Sequence, residues 1–202
     1  MTTIVDYGVG NLFSLCSSLS ALGEQACVTS DARRIENADR IILPGVGAFS
    51  DAADKLKKTG LGDAVKEAAE SGTPLLGICL GMQLLFDKSY EYGEHEGLGL
   101  ISGKIRPISE TIPEGLKIPH IGWNALDIKK DTPLFRYIKN GDHVYFVHSY
   151  HACECDAYIT ATAEYGAPLT ASVQRENVYG CQFHPEKSGD AGLRILKAFL
   201  EL

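Results

Sequence analysis

The 202-residue sequence has no long hydrophobic run and no segment with the features of a targeting signal. Its most apolar stretch, Pro74–Phe86, is interrupted by glycines and is shorter than the ~20 residues that a membrane-spanning helix requires. The N-terminus enters an apolar strand pattern directly, without the basic region, apolar core and cleavage site of a signal peptide. We therefore expect a cytoplasmic protein with no membrane partner.

Clusters of basic residues are also missing. The formal net charge is −7, and the isoelectric point is near 5.3. The adjacent basic pairs are Arg33-Arg34, Lys57-Lys58 and Lys129-Lys130, which suit a solvated surface better than a phosphate-binding tract. No nucleic-acid partner is expected, because binding to phosphates needs clustered positive charge.

The six cysteines do not form a metal-binding pattern. Cys153 and Cys155 are one residue apart, but no second pair of Cys or His residues has the spacing of metal ligands. In a reducing compartment the thiols are expected to stay free. We predict no metal site and no cofactor, and the sequence indicates no role for the Cys153–Cys155 segment.

Strand and helix patterns alternate in the first part of the chain and predict an α/β fold, with a mostly parallel central sheet covered by helices on both faces. Strand patterns occur at Ile4–Val5, Gln25–Thr29, Arg40–Leu43 and Pro74–Ile78. Helical patterns occur at Leu12–Leu22, twice within Ser50–Glu70, and from Cys79 to Phe86. No Pro/Gly/Ser-rich linker divides the chain, so residues 1–202 are expected to form a single domain.

The second part of the chain is rich in short strand patterns. They fall at Ile101–Ile108, Gly122–Ile128, Val144–Val147, Tyr158–Ala163 and Leu169–Gln174. We predict that they add antiparallel strands to the main sheet. A buried strand at Val178–Phe183 and a closing helix around Leu193–Leu200 complete the pattern.

The segment Gly77–Gly81 has the form of a nucleophile elbow, a sharp turn between a buried strand and a helix. Its central residue, Cys79, would lie at a helix N-terminus, where the helix dipole favours thiolate over thiol. The backbone N–H of Leu80 would be free to bind an oxyanion. The alternative is that Cys79 is one more small residue buried in an apolar strand.

A candidate base follows the predicted strand at Val178–Phe183. His184 would accept the Cys79 proton, and Glu186, across the rigid Pro185, would orient the imidazole. Because parallel strands end at one edge of a sheet, Cys79 and His184 are expected to meet despite their separation in the chain.

The segment Pro44–Phe49 also follows a strand and could complete the oxyanion hole with the backbone of Val46 and Gly47. A β-branched Val resists positive φ, so turning its N–H inward would be strained unless the flanking glycines absorb the change. We therefore hypothesise that the oxyanion hole is not permanently formed. The alternative is a simple tight turn.

The segment Gly8–Gly10 offers a competing interpretation as a dinucleotide-binding turn. Phe13 occupies the position of the third glycine, where it would be expected to crowd the helix against the sheet. A nicotinamide or flavin site is therefore not expected.

Six segments in this order resemble the class I, triad-type glutamine amidotransferases and, within them, the glutaminase subunits of imidazole glycerol phosphate synthase. They are Asp6–Asn11, Pro44–Phe49, Gly77–Gln83, Pro119–Asn124, Tyr145–Tyr150 and His184–Ser188. The resemblance runs along the whole chain and implies a flavodoxin-like α/β fold.

The resemblance implies that the chain hydrolyses L-glutamine to glutamate and ammonia through the triad of Cys79, His184 and Glu186. It implies a heterodimer with a separate (β/α)₈-barrel cyclase subunit, which makes imidazole glycerol phosphate and an aminoimidazole carboxamide ribotide in histidine biosynthesis. It also implies near-idle glutaminase activity until the cyclase binds its substrate.

The resemblance assigns weaker roles to two further sets of residues. The glutamine-binding set comprises Gly45, Gln83, Ser149 and Tyr150, and the set facing the cyclase comprises Asn11, Trp123, Tyr145 and Lys187. Burial of Trp123 in the core and a plain surface position for Lys187 remain alternatives. Other functions left open are a different amidotransferase, a cysteine hydrolase with the same elbow, or a catalytically silent binding subunit. No role was found for the acidic loop Glu91–Glu96.

Overall fold

The computed structural model describes residues 1–202. Six helices, α1 to α6, cover Leu12–Ala21, Ala32–Glu36, Phe49–Thr59, Leu61–Glu70, Leu80–Leu84 and Gly189–Leu200. The strands β1 to β7 cover Thr2–Val5, Cys27–Thr29, Arg40–Leu43, Leu75–Ile78, Phe86–Ser89, His95–Glu96 and Ile101–Pro107. The strands β8 to β14 cover His120–Ala125, Asp127–Ile128, His143–His148, Tyr150–Cys153, Ile159–Glu164, Pro168–Arg175 and Val178–Cys181.

The main sheet has eight strands in the order β2-β1-β3-β4-β14-β13-β12-β9. The first five are parallel to one another, and β13, β12 and β9 continue the sheet in antiparallel pairing. Strands β4 and β14 are parallel neighbours, with Ile78 opposite Cys181. The segments that follow them therefore leave the sheet side by side, at the carboxyl ends of the strands. This pairing places the two candidate catalytic segments side by side.

Helices cover both faces of this sheet, as predicted. Alternate residues of β3 point to opposite faces: Ile41 and Leu43 join one core cluster, and Ile42 joins the other. The first cluster contains the apolar residues of α2 to α5, and the second contains those of α1 and α6. Strands buried on both faces explain the continuous apolar runs of the sequence.

The predicted strands of the second half do not all join the main sheet, which corrects part of the expectation. Strands β8 and β10 pair only with each other, and β7 lies in a four-stranded sheet with β5, β6 and β11. Alternating hydrophobicity shows which residues of a strand face a core, but it does not show which strand is its neighbour.

The helix after Cys79 is shorter than predicted, since it ends at Leu84 and Phe86 begins β5. The carbonyls of Leu84 and Leu85 accept hydrogen bonds from the backbone N–H groups of Leu98 and Leu100, which replace the next turn of the helix. The short helix α2 was not predicted because one buried residue, Ile35, gives no periodicity.

Phe13 does not crowd α1 against the sheet, because its side chain is 82% exposed. The steric argument made from the sequence against a dinucleotide site is therefore wrong at this position. None of the helices combines the length and the hydrophobicity that a membrane span requires.

Candidate active site

Cys79 lies in a strained turn between β4 and α5. Its backbone has φ 54° and ψ −111°, in a region that non-glycine residues rarely adopt. A Cβ atom on Gly81 would lie 1.8 Å from the carbonyl oxygen of Leu43, so only glycine fits beside the turn. The predicted elbow conformation is confirmed, and Cys79 is 7% exposed.

His184 follows β14 and is held by backbone contacts to β10. Its N–H donates to the carbonyl of Tyr145 over 2.9 Å, and its own carbonyl accepts from the hydroxyl of Ser188 over 2.6 Å. The Ser188 hydroxyl in turn accepts from the N–H of Tyr145 over 2.9 Å. These bonds fix the turn at Pro185–Lys187 against β10.

The side chains of His184 and Glu186 form a buried pair. The Nδ1 of His184 lies 2.7 Å from the Oε1 of Glu186, and the two side chains are 3% and 4% exposed. Because Nδ1 faces Glu186, the ring has Nε2 left for its interaction with the thiol of Cys79, and both residues line one cleft. The structure thus brings the three residues of the predicted triad together.

Opposing influences act on the pKa of His184. Burial lowers it, but the contacts with Cys79 and Glu186 outweigh burial and raise the pKa from 6.5 to about 9. A charged imidazolium next to Cys79 favours the thiolate, which is the nucleophilic form of cysteine. The site therefore holds a charged imidazolium beside the sulfur of Cys79.

The candidate oxyanion segment packs tightly against the start of α5. A Cβ atom on Gly45 would lie 2.8 Å from the Tyr7 hydroxyl oxygen and 2.9 Å from the Gly81 nitrogen. Gly47 has a positive φ of +100°, whereas the φ of Val46 is negative. The hypothesis that this hole forms only on activation stays a prediction.

A cleft of about 620 Å³ opens in front of Cys79. Its lining includes all but one of the residues assigned to the oxyanion hole and to glutamine binding: Val46, Gly47, Leu80, Gln83, Ser149 and Tyr150. Gly45 instead lines a small cavity behind the loop, together with Asn11, His184 and Glu186. The structure therefore groups both sets of residues around the triad.

The residues assigned to the cyclase-facing set lie on β8, on β10, at the start of α1 and in the turn after His184. Trp123 on β8 is opposite Tyr145 on β10, with ring centroids 6.1 Å apart. The Trp123 side chain is 51% exposed, so the alternative of core burial is wrong. Lys187 is exposed and lines the cleft, and the side chain of Asn11 caps α1 by accepting from the Ser14 N–H over 3.3 Å.

Sequence reasoning missed several residues that shape the site. The buried Tyr7 hydroxyl donates to the carbonyl of Pro44 over 2.7 Å, and Glu91 accepts from the N–H of Phe49 over 2.6 Å. Both contacts fix the ends of the oxyanion segment. Tyr7 lies in Asp6–Asn11, one of the segments that resemble the family. The hydrogen bond from its hydroxyl to a distant turn has no counterpart in the periodicity of the sequence. Glu91 belongs to the acidic loop for which no role was found.

Two buried histidines support the backbone of the segment assigned to glutamine binding. The Nδ1 of His148 lies 2.8 Å from the carbonyl oxygen of Tyr150, and its Nε2 lies 2.9 Å from the Nδ1 of His120. Burial lowers the pKa of His148 to about 3, so it stays neutral at physiological pH. A neutral His148 that donates through Nδ1 fixes the carbonyl of Tyr150.

The Cys153–Cys155 segment carries no activated thiol. Burial raises the pKa of Cys153 to about 11 and that of Cys155 to about 12. Both thiols are therefore protonated at neutral pH.

The fold and site are those of a cysteine-dependent amidotransferase. The family model of glutamine amidotransferase class-I matches residues 3–202. The chain belongs to this family.

Two relatives make the position within the family more specific. The chain is 52% identical to the imidazole glycerol phosphate synthase subunit HisH of Caldanaerobacter subterraneus subsp. tengcongensis, over 100% of this chain and 98% of the relative. It is 50% identical to the subunit of the same name from Wolinella succinogenes, over 100% of both chains.

Solved structures of lower identity share the fold. A glutamine amidotransferase is similar with a TM-score of 0.76 and 20% identity, covering 98% of this chain and 97% of the other. PurLQS from Thermotoga maritima is similar with a TM-score of 0.77 and 20% identity, covering 99% and 97%. The predicted α/β class, with a mostly parallel sheet and antiparallel additions, is confirmed.

Proposed function

We propose that the chain hydrolyses the side-chain amide of L-glutamine and supplies the ammonia to imidazole glycerol phosphate synthesis in histidine biosynthesis, in the cytoplasm. The observation that carries this proposal is the strained Cys79 turn beside the buried pair of His184 and Glu186. The relatives named HisH support the specific pathway.

The first half of the reaction forms a thioester. The thiolate of Cys79 attacks the amide carbon of glutamine, and the tetrahedral oxyanion is held by the backbone of Leu80 and the Val46–Gly47 loop. The imidazolium of His184 then gives its proton to the leaving nitrogen as the carbon–nitrogen bond breaks, which releases ammonia. Glu186 stabilises the imidazolium throughout, because its carboxylate lies 2.7 Å from Nδ1.

The second half returns the enzyme to its starting state. His184, now neutral, accepts a proton from a water molecule that attacks the thioester carbon. Breakdown of this second tetrahedral intermediate releases glutamate and regenerates the thiolate of Cys79 and the imidazolium of His184. The balance is one glutamine and one water consumed, with one glutamate and one ammonia formed.

The cleft has the size and polar groups to hold glutamine. Its volume of about 620 Å³ lies within the range for small-molecule sites. Gln83 and the backbone of Ser149 and Tyr150 supply donors and acceptors for the α-amino and α-carboxyl groups, as the family resemblance implies. Lys187 at the cleft edge adds a positive charge.

We further propose a (β/α)₈-barrel cyclase as the partner. Ammonia released into bulk water is mostly protonated and loses its nucleophilicity, so a protected path to a second active site is needed. The Trp123–Tyr145 pair, with exposed Ile121 beside it on β8, offers an apolar docking surface close to the triad. The turn at Pro185–Lys187 packs against both α1 and β10, so Lys187 and Asn11 border the same region.

The test is glutamate release by the chain alone, with the cyclase, and with the cyclase plus its nucleotide substrate. We expect low activity alone and strong stimulation by the liganded cyclase, both abolished by Cys79→Ala. Glutamate release that is stimulated by a different ammonia-accepting enzyme, and not by the cyclase, would favour a different amidotransferase. Binding to the cyclase without glutamate release under any condition would favour the silent subunit.

A further inference from the structure

We propose that Gln182 is a further residue of this reaction and that its side-chain amide stabilises the Cys79 thiolate by an N–H···S hydrogen bond. The Nε2 of Gln182 lies 3.7 Å from the Sγ of Cys79. Gln182 is fully buried between β14 and His184. The inference rests on the proposed role of Cys79 as the nucleophile and adds a residue to it.

The direction of the Gln182 amide follows from a chain of hydrogen bonds. A backbone carbonyl can only accept, so the group of Gln83 that lies 3.3 Å from the carbonyl oxygen of Tyr150 must be its NH₂. The same NH₂ of Gln83 lies 2.9 Å from the Oε1 of Gln182, which must therefore accept. This orientation leaves the NH₂ of Gln182 to face the sulfur of Cys79.

A flipped Gln182 would be unfavourable at both ends. Its NH₂ would face the NH₂ of Gln83, and its carbonyl oxygen would face the thiolate of Cys79. Both contacts would be repulsive, and both are buried, so solvent would screen the repulsion only weakly. The backbone of Gln182 is also fixed, because its N–H donates to the carbonyl of Ala171 over 2.9 Å.

Several titratable groups surround Cys79, and they differ in how they interact with a negative charge on its sulfur. His184, paired with Glu186, interacts with the sulfur as a cation, and Lys187 lines the same cleft, while Tyr7 and Cys181 are buried groups that interact unfavourably with the negative charge of Cys79. Burial and the charge of Cys79 raise the pKa of Tyr7, and burial, the charge of Glu186 and the charge of Cys79 raise the pKa of Cys181, so both groups stay neutral. Gln182 adds a neutral donor to the charge on His184.

The network also connects substrate binding to the nucleophile. Gln83 is assigned to glutamine binding, and it holds the carbonyl of Gln182, whose NH₂ contacts the sulfur. A shift of Gln83 toward a bound glutamine would therefore move the donor that faces Cys79.

The test measures alkylation of Cys79 by iodoacetamide across pH 5 to 10, with the modified peptide quantified by mass spectrometry. The wild type is compared with Gln182→Glu and Gln182→Met. Gln182→Glu keeps the oxygen that accepts from Gln83 and replaces only the NH₂ that faces the sulfur. Gln174→Met, on the partly exposed Gln174 of β13, is the control for a Gln-to-Met change.

We expect the pH at which Cys79 becomes reactive to rise by about one unit in Gln182→Met and by more in Gln182→Glu, where a carboxylate replaces the donor. At neutral pH the alkylation rate should fall about tenfold or more, with Gln174→Met unchanged. If Gln182→Met does not fold, as judged by near-UV circular dichroism, Gln182→Ala takes its place, because it also removes the donor without adding a charge.

A folded Gln182→Glu variant with the wild-type pH dependence of alkylation would overturn the inference. A shift of equal size at Cys16 or Cys153 would also overturn it, because that would indicate a general change in structure. The measurement needs no glutamine, so its outcome is separate from the proposed function. An absence of glutaminase activity with a shifted alkylation profile would refute only the function.

Discussion

The Nδ1 of His184 lies 2.7 Å from the Oε1 of Glu186, two residues later in the chain, and both side chains are almost completely buried. The second carboxylate oxygen of Glu186 is buried without a hydrogen-bond partner. Its charge is therefore offset mainly by the imidazolium. This relationship supports the proposed role of Glu186, which is to keep the His184 ring oriented and charged.

Glu186→Gln should lower glutaminase kcat by about 100-fold or more, because a neutral amide can neither stabilise the imidazolium nor fix its orientation as strongly. The measurement is glutamate release in the presence of the partner and its ligand. Glu201→Gln is the matched control, since Glu201 is a carboxylate of the exposed C-terminal region that contacts Arg136 and Tyr137. Equal activity of Glu186→Gln and the control would contradict the assigned role.

The raised pKa of His184 makes stability depend on pH. The folded chain binds the proton more tightly than the unfolded chain, since the pKa rises from 6.5 to about 9. The stabilisation is therefore fully present below pH 6.5 and is lost as the pH rises through 9. At its full value it is on the order of 3 kcal/mol, because one pKa unit corresponds to about 1.4 kcal/mol.

This dependence is measured by urea unfolding of the wild type and His184→Asn between pH 6 and pH 10. The difference in the free energy of unfolding should shrink over the upper part of this range. His143→Asn, at an exposed histidine of β10, controls for the change of residue type. A difference that stays constant or grows with pH would refute the charged state of His184.

The strand and turns around the site could be predicted from the sequence because neighbouring residues largely determine their conformations. Arg40–Leu43 is a strand with the predicted bounds, and the glycines beside Cys79 mark the elbow. The break at Thr59-Gly60 also separates two helices as predicted, with Gly60 at φ +72°. In each case a short run of residues determines its own conformation.

Features that depend on distant partners were not predictable in the same way. The end of α5 at Leu84 is determined by N–H groups from residues 98–101, and the donor role of Gln182 depends on Gln83 and Tyr150. Gln182 was visible beside His184 in the sequence, but only the folded network shows where its amide points.

The elbow should not tolerate a side chain at Gly81. Gly81→Ala would place a Cβ atom 1.8 Å from the carbonyl oxygen of Leu43, and the backbone would have to move. We expect a loss of several kcal/mol in the free energy of unfolding, or failure to fold. Gly72→Ala is the control: Gly72 has φ +99° but open space around it, so the cost should be about 1 kcal/mol. Similar melting temperatures for the two variants would contradict this account.

Trp123→Ala should weaken binding to the cyclase without destabilising the chain. The side chain is 51% exposed, so its removal leaves little cavity, whereas an aromatic anchor at an interface often contributes most to affinity. We expect a 10- to 100-fold increase in Kd by calorimetry. Val28→Ala, at an exposed position of β2, an edge strand of the main sheet, should leave Kd unchanged. Equal affinities of the two variants would remove Trp123 from the interface.

The most direct test of the whole account is covalent trapping of the nucleophile. The chain is incubated with an electrophilic glutamine analogue in the presence of the cyclase and its ligand, and all six cysteines are mapped by mass spectrometry. The account predicts one adduct, on Cys79, that is prevented by excess glutamine and strongly slowed in His184→Asn. An adduct at a different cysteine, or none at Cys79 while glutamate is being released, would contradict it.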